Sequence, residues 1–382
     1  MKKVVIIIIT LLLCGCSIFI TANQTARAAD QEITLNYEDI AARVAGYNST
    51  VRIGKISLSE AQSALSQAQS ANRDRREQRA SLNEAISETT DMIENGALDD
   101  TALKEAQTLL STLEQMSDSL RNQNTSQLER TIEAVTLQNA QSLDQLINGA
   151  RQLFIRAWQL QLNINLQLSK VEQAKLEVGK AEIRLAHGLG TSAALSEAQL
   201  QVFSASTELA ALERQLQVML DQLRDYFGYK PETTVKLGEA PELDDDYLAE
   251  IDIEQDAAAA VSANFALKLL NIDRINANSS SAKRKITIQI EQQEAAVKQA
   301  VEQKYQVLLE TQTKLDLAAA ELAQAAQQLA AAQTHFDLGR IAKNTLDKQQ
   351  ATWEAKQTSW QNAVLALIAE LEDYLAKVGG LS

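Results

Sequence analysis

The chain has 382 residues, 45% of them apolar but only 4% aromatic, with two prolines. Scarce helix breakers and scarce large rings favour long helices packed side by side over a compact globular core, because small side chains bury little area each. Fifty acidic residues against 36 basic ones give a net charge of −14, which argues against a phosphate-binding surface and excludes nucleic acid as the expected partner.

At the N-terminus, Lys2 and Lys3 precede an apolar run from Val4 and then the polar "TANQTARAAD", the layout of an export signal over residues 1–29. Two processing routes compete there. Ala26-Arg27-Ala28 has the small-x-small form of a signal-peptidase site, while Leu13-Cys14-Gly15-Cys16 approximates a lipobox that would acylate Cys16. Both cysteines of the chain lie in this segment, so the body beyond it has no disulfide framework and no cysteine metal site.

Beyond residue 30 the chain repeats itself. An offset of 151 residues lays Phe154 on Tyr305, Gly188 on Gly339, Leu195 on Leu346, Leu216 on Leu367 and Gly228 on Gly379. Near the start of each copy an offset of 216 applies instead, laying "NSTVR" at Asn48 on "NFALK" at Asn264. The two offsets differ by 65 residues, extra chain that belongs to the first copy between about Asn72 and Asn139. Its centre, Ser81 to Leu120, is amphipathic with helical spacing and breaks at Asn95-Gly96. The expected layout is a first repeat over 30–228 with a helical insertion at about 73–138, a connector over 229–253, and a second repeat over 254–382.

Apolar residues recur every seven positions in both copies, as a left-handed coiled coil requires. In the first they are Ile164, Val171, Val178 and Leu185, then Leu195, Val202, Leu209, Leu216 and Leu223. In the second they are Val301, Leu308, Leu315, Leu322, Leu329 and Phe336, then Leu346, Trp353, Trp360, Leu367 and Tyr374. Each series is interrupted once, at "LAHGLGTSAALSEAQ" and at "FDLGRIAKNTLDKQQ". Glycine tolerates the left-handed backbone that ends a helix, and Thr191, Ser192 or Asn344 is placed to cap the next one, so each break reads as the tip of a helical hairpin. Trp353 and Trp360, at heptad positions, read as seam packing, with a ligand box as the alternative.

A second face is small and polar: "AAAELAQAAQQLAAAQ", Ala318 to Gln333, holds nine Ala and four Gln. Two readings stay open for it, a solvated surface or the lining of a water-filled bore. The connector, Gly228 to Ile253, carries both prolines and loses the heptad; its Asp244–Asp246 run reads as a solvated turn before the next helix, with a cation site as the alternative.

Taken in this order, the residues resemble the TolC-like outer-membrane efflux proteins. "ITLNYEDIAARVAGYNSTVRIGKISLSEA" and "AAAAVSANFALKLLNIDRINA" are similar to the short helix that opens that family's repeat, and the two Gly-containing breaks are similar to its hairpin tips. The resemblance covers nearly all of the chain beyond the export signal, twice. It implies a homotrimer whose hairpins form an exit duct, and a periplasmic-type adaptor protein that docks on the tips. It also implies an ABC or other pump in the inner membrane. Carried over by position, the docking residues are Gly188, Leu189 and Gly190 in the first copy and Gly339, Arg340 and Ile341 in the second.

One element of that family is missing. Each repeat there inserts two strands of a membrane barrel, whereas here Ile286, Ile288 and Ile290 alternate over too short a span to cross a bilayer, which takes about 9 to 11 residues per strand. The expected fold is therefore all-α, elongated antiparallel coiled-coil hairpins in two repeats with little or no β-barrel.

No enzyme chemistry, metal site or cofactor is expected. His187 and His335 are the only histidines, no metal-ligand spacing connects them, and there is no Gly-rich phosphate loop. The leading function is an exported, non-enzymatic duct or docking component in the cell envelope, at an outer membrane or tethered outside the cytoplasm. The alternative is an extracellular coiled-coil spacer or regulator without a lumen; an amphipathic membrane binder ranks third, because the acidic balance disfavours anionic surfaces.

Overall fold

The computed structural model describes residues 32–96, 100–121, 125–243, 248 and 250–381. The expected export signal, the candidate acylation at Cys16 and the Asp244–Asp246 run lie outside them. In chain order the elements are β1 (Glu32–Leu35), α1 (Ile40–Tyr47), α2 (Ser49–Asn95), α3 (Asp100–Ser119), α4 (Ser126–Ala186), α5 (Ser192–Tyr226), β2 (Thr234–Leu237), α6 (Ile253–Ala263), α7 (Phe265–Asn276), α8 (Ser280–Asp337) and α9 (Lys343–Val378). The fold is all-α, built from two copies of a long-helix hairpin, α4–α5 and α8–α9.

The two strands form one parallel pair, Glu32 against Thr234 through Leu35 against Leu237. No strand was expected in either place. Four residues are too few to show an alternating pattern, and the partners are far apart in sequence. Ile286, Ile288 and Ile290 lie within α8, where only Ile290 is buried.

The chain divides into two compact units. One comprises the residues up to Asn48, Leu146–Ile251 and Gln303–Leu375. Within it α4 runs antiparallel to both α5 and α9, and α9 antiparallel to α8. The Gln167 amide donates to Ala205 O at 3.0 Å and to Glu208 at 3.1 Å, joining α4 to α5. Gln152 donates to Ala369 O at 2.7 Å and the Ser169 hydroxyl to Glu354 at 2.6 Å, joining α4 to α9. Lys304 bonds Glu370 at 3.1 Å and Asp373 at 2.9 Å, and Lys356 bonds Glu321 at 2.7 Å, joining α8 to α9. One core cluster of this unit is Ile155, Leu365 and Ile368, with Trp158, Leu162 and Tyr37 packed against it.

The seam of α8 corrects the reading of its Ala-rich face. Ala318, Ala325 and Ala332 are buried, and they alternate at spacings of four and three with half-buried Leu315, Leu322, Leu329 and Phe336. They are the small half of a coiled-coil seam. The Lys304–Asp373 and Lys356–Glu321 bonds set one antiparallel register, which brings Ala318 within a residue of level with Trp360 and Ala325 within a residue of level with Trp353. Large rings on α9 thus face small side chains on α8. Apart from half-buried Glu321, the remaining residues of the stretch, among them Gln324, Gln327 and Gln328, are exposed.

The second unit comprises Ser49–Gln145, Asp252–Glu302 and the C-terminal residues from Ala376. Here α2 and α3 form a helical hairpin turning beyond Asn95. Ser117, almost fully buried on α3, accepts from the Arg79 guanidinium at 3.3 Å and donates to Asn83 at 3.0 Å on α2. Gly54 leaves room on α2 for Asn139 of α4, whose amide donates to the Gly54 carbonyl at 2.8 Å; a side chain at Gly54 would overlap it.

Two asparagines mark the start of the copies. Asn48 (φ −58°, ψ 131°) and Asn264 (φ −56°, ψ 122°) end α1 and α6 with nearly the same backbone and bend the chain into α2 and α7. The Asn48 amide donates to Tyr226 O at 2.8 Å, and the Asn264 amide to Gly380 O at 3.3 Å, so each ties the opening of its copy to the end of that copy's last helix. A side chain at Gly228 would strike the Tyr47 carbonyl, and one at Gly380 would stand 2.6 Å from Ala263 backbone atoms. The structural counterpart of Gly228 is therefore Gly380 and not Gly379, because α9 has 36 residues against 35 in α5 and its end falls one position later.

Candidate functional site at the hairpin turns

Both breaks are built by the same hydrogen bonds. In the first, Gly188 N–H donates to Leu185 O at 3.0 Å and Leu189 N–H to Arg184 O at 2.8 Å; in the second, Gly339 N–H donates to Phe336 O at 2.8 Å and Arg340 N–H to His335 O at 2.8 Å. These are Schellman closures, with the left-handed residue at Gly188 (φ 70°) and Gly339 (φ 69°). The positive φ explains why the sequence places glycine there: any other side chain would strain against the following carbonyl. The same closure recurs at Gly228 and Gly380, but those ends are packed, whereas at Gly188 and Gly339 a Cβ would meet nothing within 4 Å.

The two turns lead into the next helix in different ways. Thr191 caps α5, its hydroxyl accepting from Ala194 N–H at 3.2 Å. Asn344 does not cap α9. It lies one residue inside that helix, and its side chain accepts from the Lys180 ammonium at 3.4 Å, joining the first hairpin to the second near their turns. Leu189, with 81% of its surface exposed, and Leu338, with 60%, put apolar side chains into solvent at the turns. Arg340 is exposed, Gly190 and Ile341 are half-buried, and both His187 and His335 are exposed. Gly190 lies close to the backbone of Leu185, which leaves little room for a side chain there.

The turns thus present backbone, two leucines and one guanidinium on rigid helical supports, an arrangement suited to protein contact. Among the described residues no cluster of His, Cys, Asp or Glu could hold a metal ion, and no helix is long and apolar enough to cross a membrane. The buried alanines of α8 were missed as packing residues, although the alternation of Leu and Ala at four and three was present in the sequence.

The sequence matches no protein-family profile and no curated protein. Comparison of structures finds similar folds. VceC, an outer membrane protein of Vibrio cholerae, superposes with a TM-score of 0.56 at 10% identity, over 91% of this chain and 97% of that one. CusC, described in connection with transmembrane channel formation, gives 0.55 at 11% over 94% and 96%. The CmeC outer membrane channel of Campylobacter jejuni gives 0.54 at 9% over 93% and 90%. The chain has the fold of the TolC-like outer-membrane channels.

Proposed function

We propose that this chain is a duct or docking component of a cell-envelope export system, working with an adaptor protein and an inner-membrane pump. The observation that carries this reading is the pair of exposed Schellman turns, alike in backbone and hydrogen bonding, each closing one hairpin of a fold similar to outer membrane channels. The adaptor docks on Gly188, Leu189, Gly190, Gly339, Arg340 and Ile341, and the partner of the duct wall is a second and third copy of the chain.

Side-chain bonds link α5 to α4, α4 to α9 and α9 to α8, which leaves α5 and α8 as the outer helices of this series. Both carry exposed apolar side chains, Leu200 and Phe203 on α5 and Leu317 on α8. Self-association would remove these from water, and at about 25 cal/mol per Å² such side chains favour assembly. The chemistry of the site is contact and conduction, with no reaction step. Cys16, where acylated, would tether the assembly to a membrane.

The test is a tip variant. Leu189→Asp combined with Arg340→Glu is expected to abolish export by cells that carry the system while leaving the far-ultraviolet circular dichroism unchanged. Undiminished export would remove the turns as the docking site, and a strict monomer by light scattering at all concentrations would remove the duct.

A further inference from the structure

A cleft of about 700 Å³ opens in the first unit between α4, α8, α9 and the segment Ala240–Leu243 that follows β2. That volume suits a small molecule. Its walls are apolar, with Trp158 and Leu162 from α4, Leu315 from α8 and Trp360 from α9. Two exposed carboxylates, Glu242 and Asp316, stand in the lining, and no basic residue does.

These features select a ligand. Indole faces attract aromatic rings and, above all, cations, through the quadrupole of the ring. The carboxylates add Coulomb attraction for positive charge and repel anions. We propose that this cleft binds planar organic cations, with the two indoles holding the ring system and Glu242 and Asp316 its charge. The site lies within one chain and stands independently of the duct reading.

Two xanthene dyes of like size and opposite charge test it on the purified full chain by fluorescence anisotropy. Rhodamine 6G, a cation, is expected to bind saturably, and fluorescein, an anion, is not. Glu242→Gln with Asp316→Asn should weaken rhodamine 6G binding about tenfold, as expected for removing two charges near the ligand in a partly solvated site. Ala319→Lys, at an exposed lining position, should weaken it at least as much. Circular dichroism checks both variants; were Ala319→Lys to lose helix, the double carboxylate variant alone decides. No rhodamine 6G binding, equal binding of fluorescein, or undiminished affinity in the carboxylate variant would overturn the proposal.

Discussion

Replacing Ala325 by leucine separates a packed seam from a solvated face. Ala325 is 5% exposed and stands within a residue of level with Trp353 across the α8–α9 register. Three extra carbons have nowhere to go in a filled interior, so Ala325→Leu should cost about 1–3 kcal/mol through overpacking. With an m-value of about 2–3 kcal/mol/M, this lowers the urea midpoint by roughly 0.3–1.5 M, followed by circular dichroism. Ala326, the next residue, is exposed, and Ala326→Leu should change stability by less than about 0.5 kcal/mol. Trp353→Leu combined with Ala325→Leu should recover part of the loss, since contacting residues couple by about 0.5–3 kcal/mol. Equal midpoints for Ala325→Leu and Ala326→Leu, or strict additivity with Trp353→Leu, would refute the seam.

Gly228→Ala should destabilise more than Gly188→Ala, because both carry the strain of a left-handed alanine but only at Gly228 does the new Cβ meet the Tyr47 carbonyl; thermal melts of the two variants check it. Burial alone would lower the Lys304 ammonium, but hydrogen bonds to Asp373 and Glu370, and then their charges, outweigh it and hold the pKa above the ordinary lysine value of 10.5. A raised folded pKa means that this stabilisation is complete below 10.5 and fades as pH climbs through the folded value, so Lys304→Met should flatten the alkaline decline of the urea midpoint. Because the longest strand among the described residues has four residues, the chain added to a planar lipid bilayer should give no step conductance; discrete steps would contradict that expectation.

The hairpins were legible because the heptad is carried by large residues, Val301 to Phe336 on α8 and Leu346 to Tyr374 on α9, and because only glycine fits the turns at 188 and 339. The small half of the seam was not. Alanine is compatible with seam, surface and bore alike, and only Lys304 and Lys356, by fixing the register, show Ala318 and Ala325 facing tryptophans. The offset of 151 also could not choose between Gly379 and Gly380, two adjacent glycines of which only the second adopts positive φ. Asn48 and Asn264 were visible as markers of the repeat, but their task was hidden, since it depends on helix ends that lie 178 and 116 residues further on.

The copies agree where the chain reverses or bends and differ in how far a helix runs before doing so. A reversal constrains backbone angles that few residues satisfy, so Gly188 and Gly339, Gly228 and Gly380, and Asn48 and Asn264 match in geometry. Helix length is freer, because a helix satisfies its own backbone hydrogen bonds wherever it is extended. The second copy turns within residues 277–279, with the Ser279 hydroxyl accepting from Ala282 N–H at 3.1 Å. The first instead continues α2 to Asn95 and brings the chain back through α3. An insertion shaped as a hairpin returns the chain close to where it left, so α2 still meets α4 at Gly54 and Asn139. This is how the first copy carries some 65 extra residues while its opening bend and its closing glycine keep the geometry of the second.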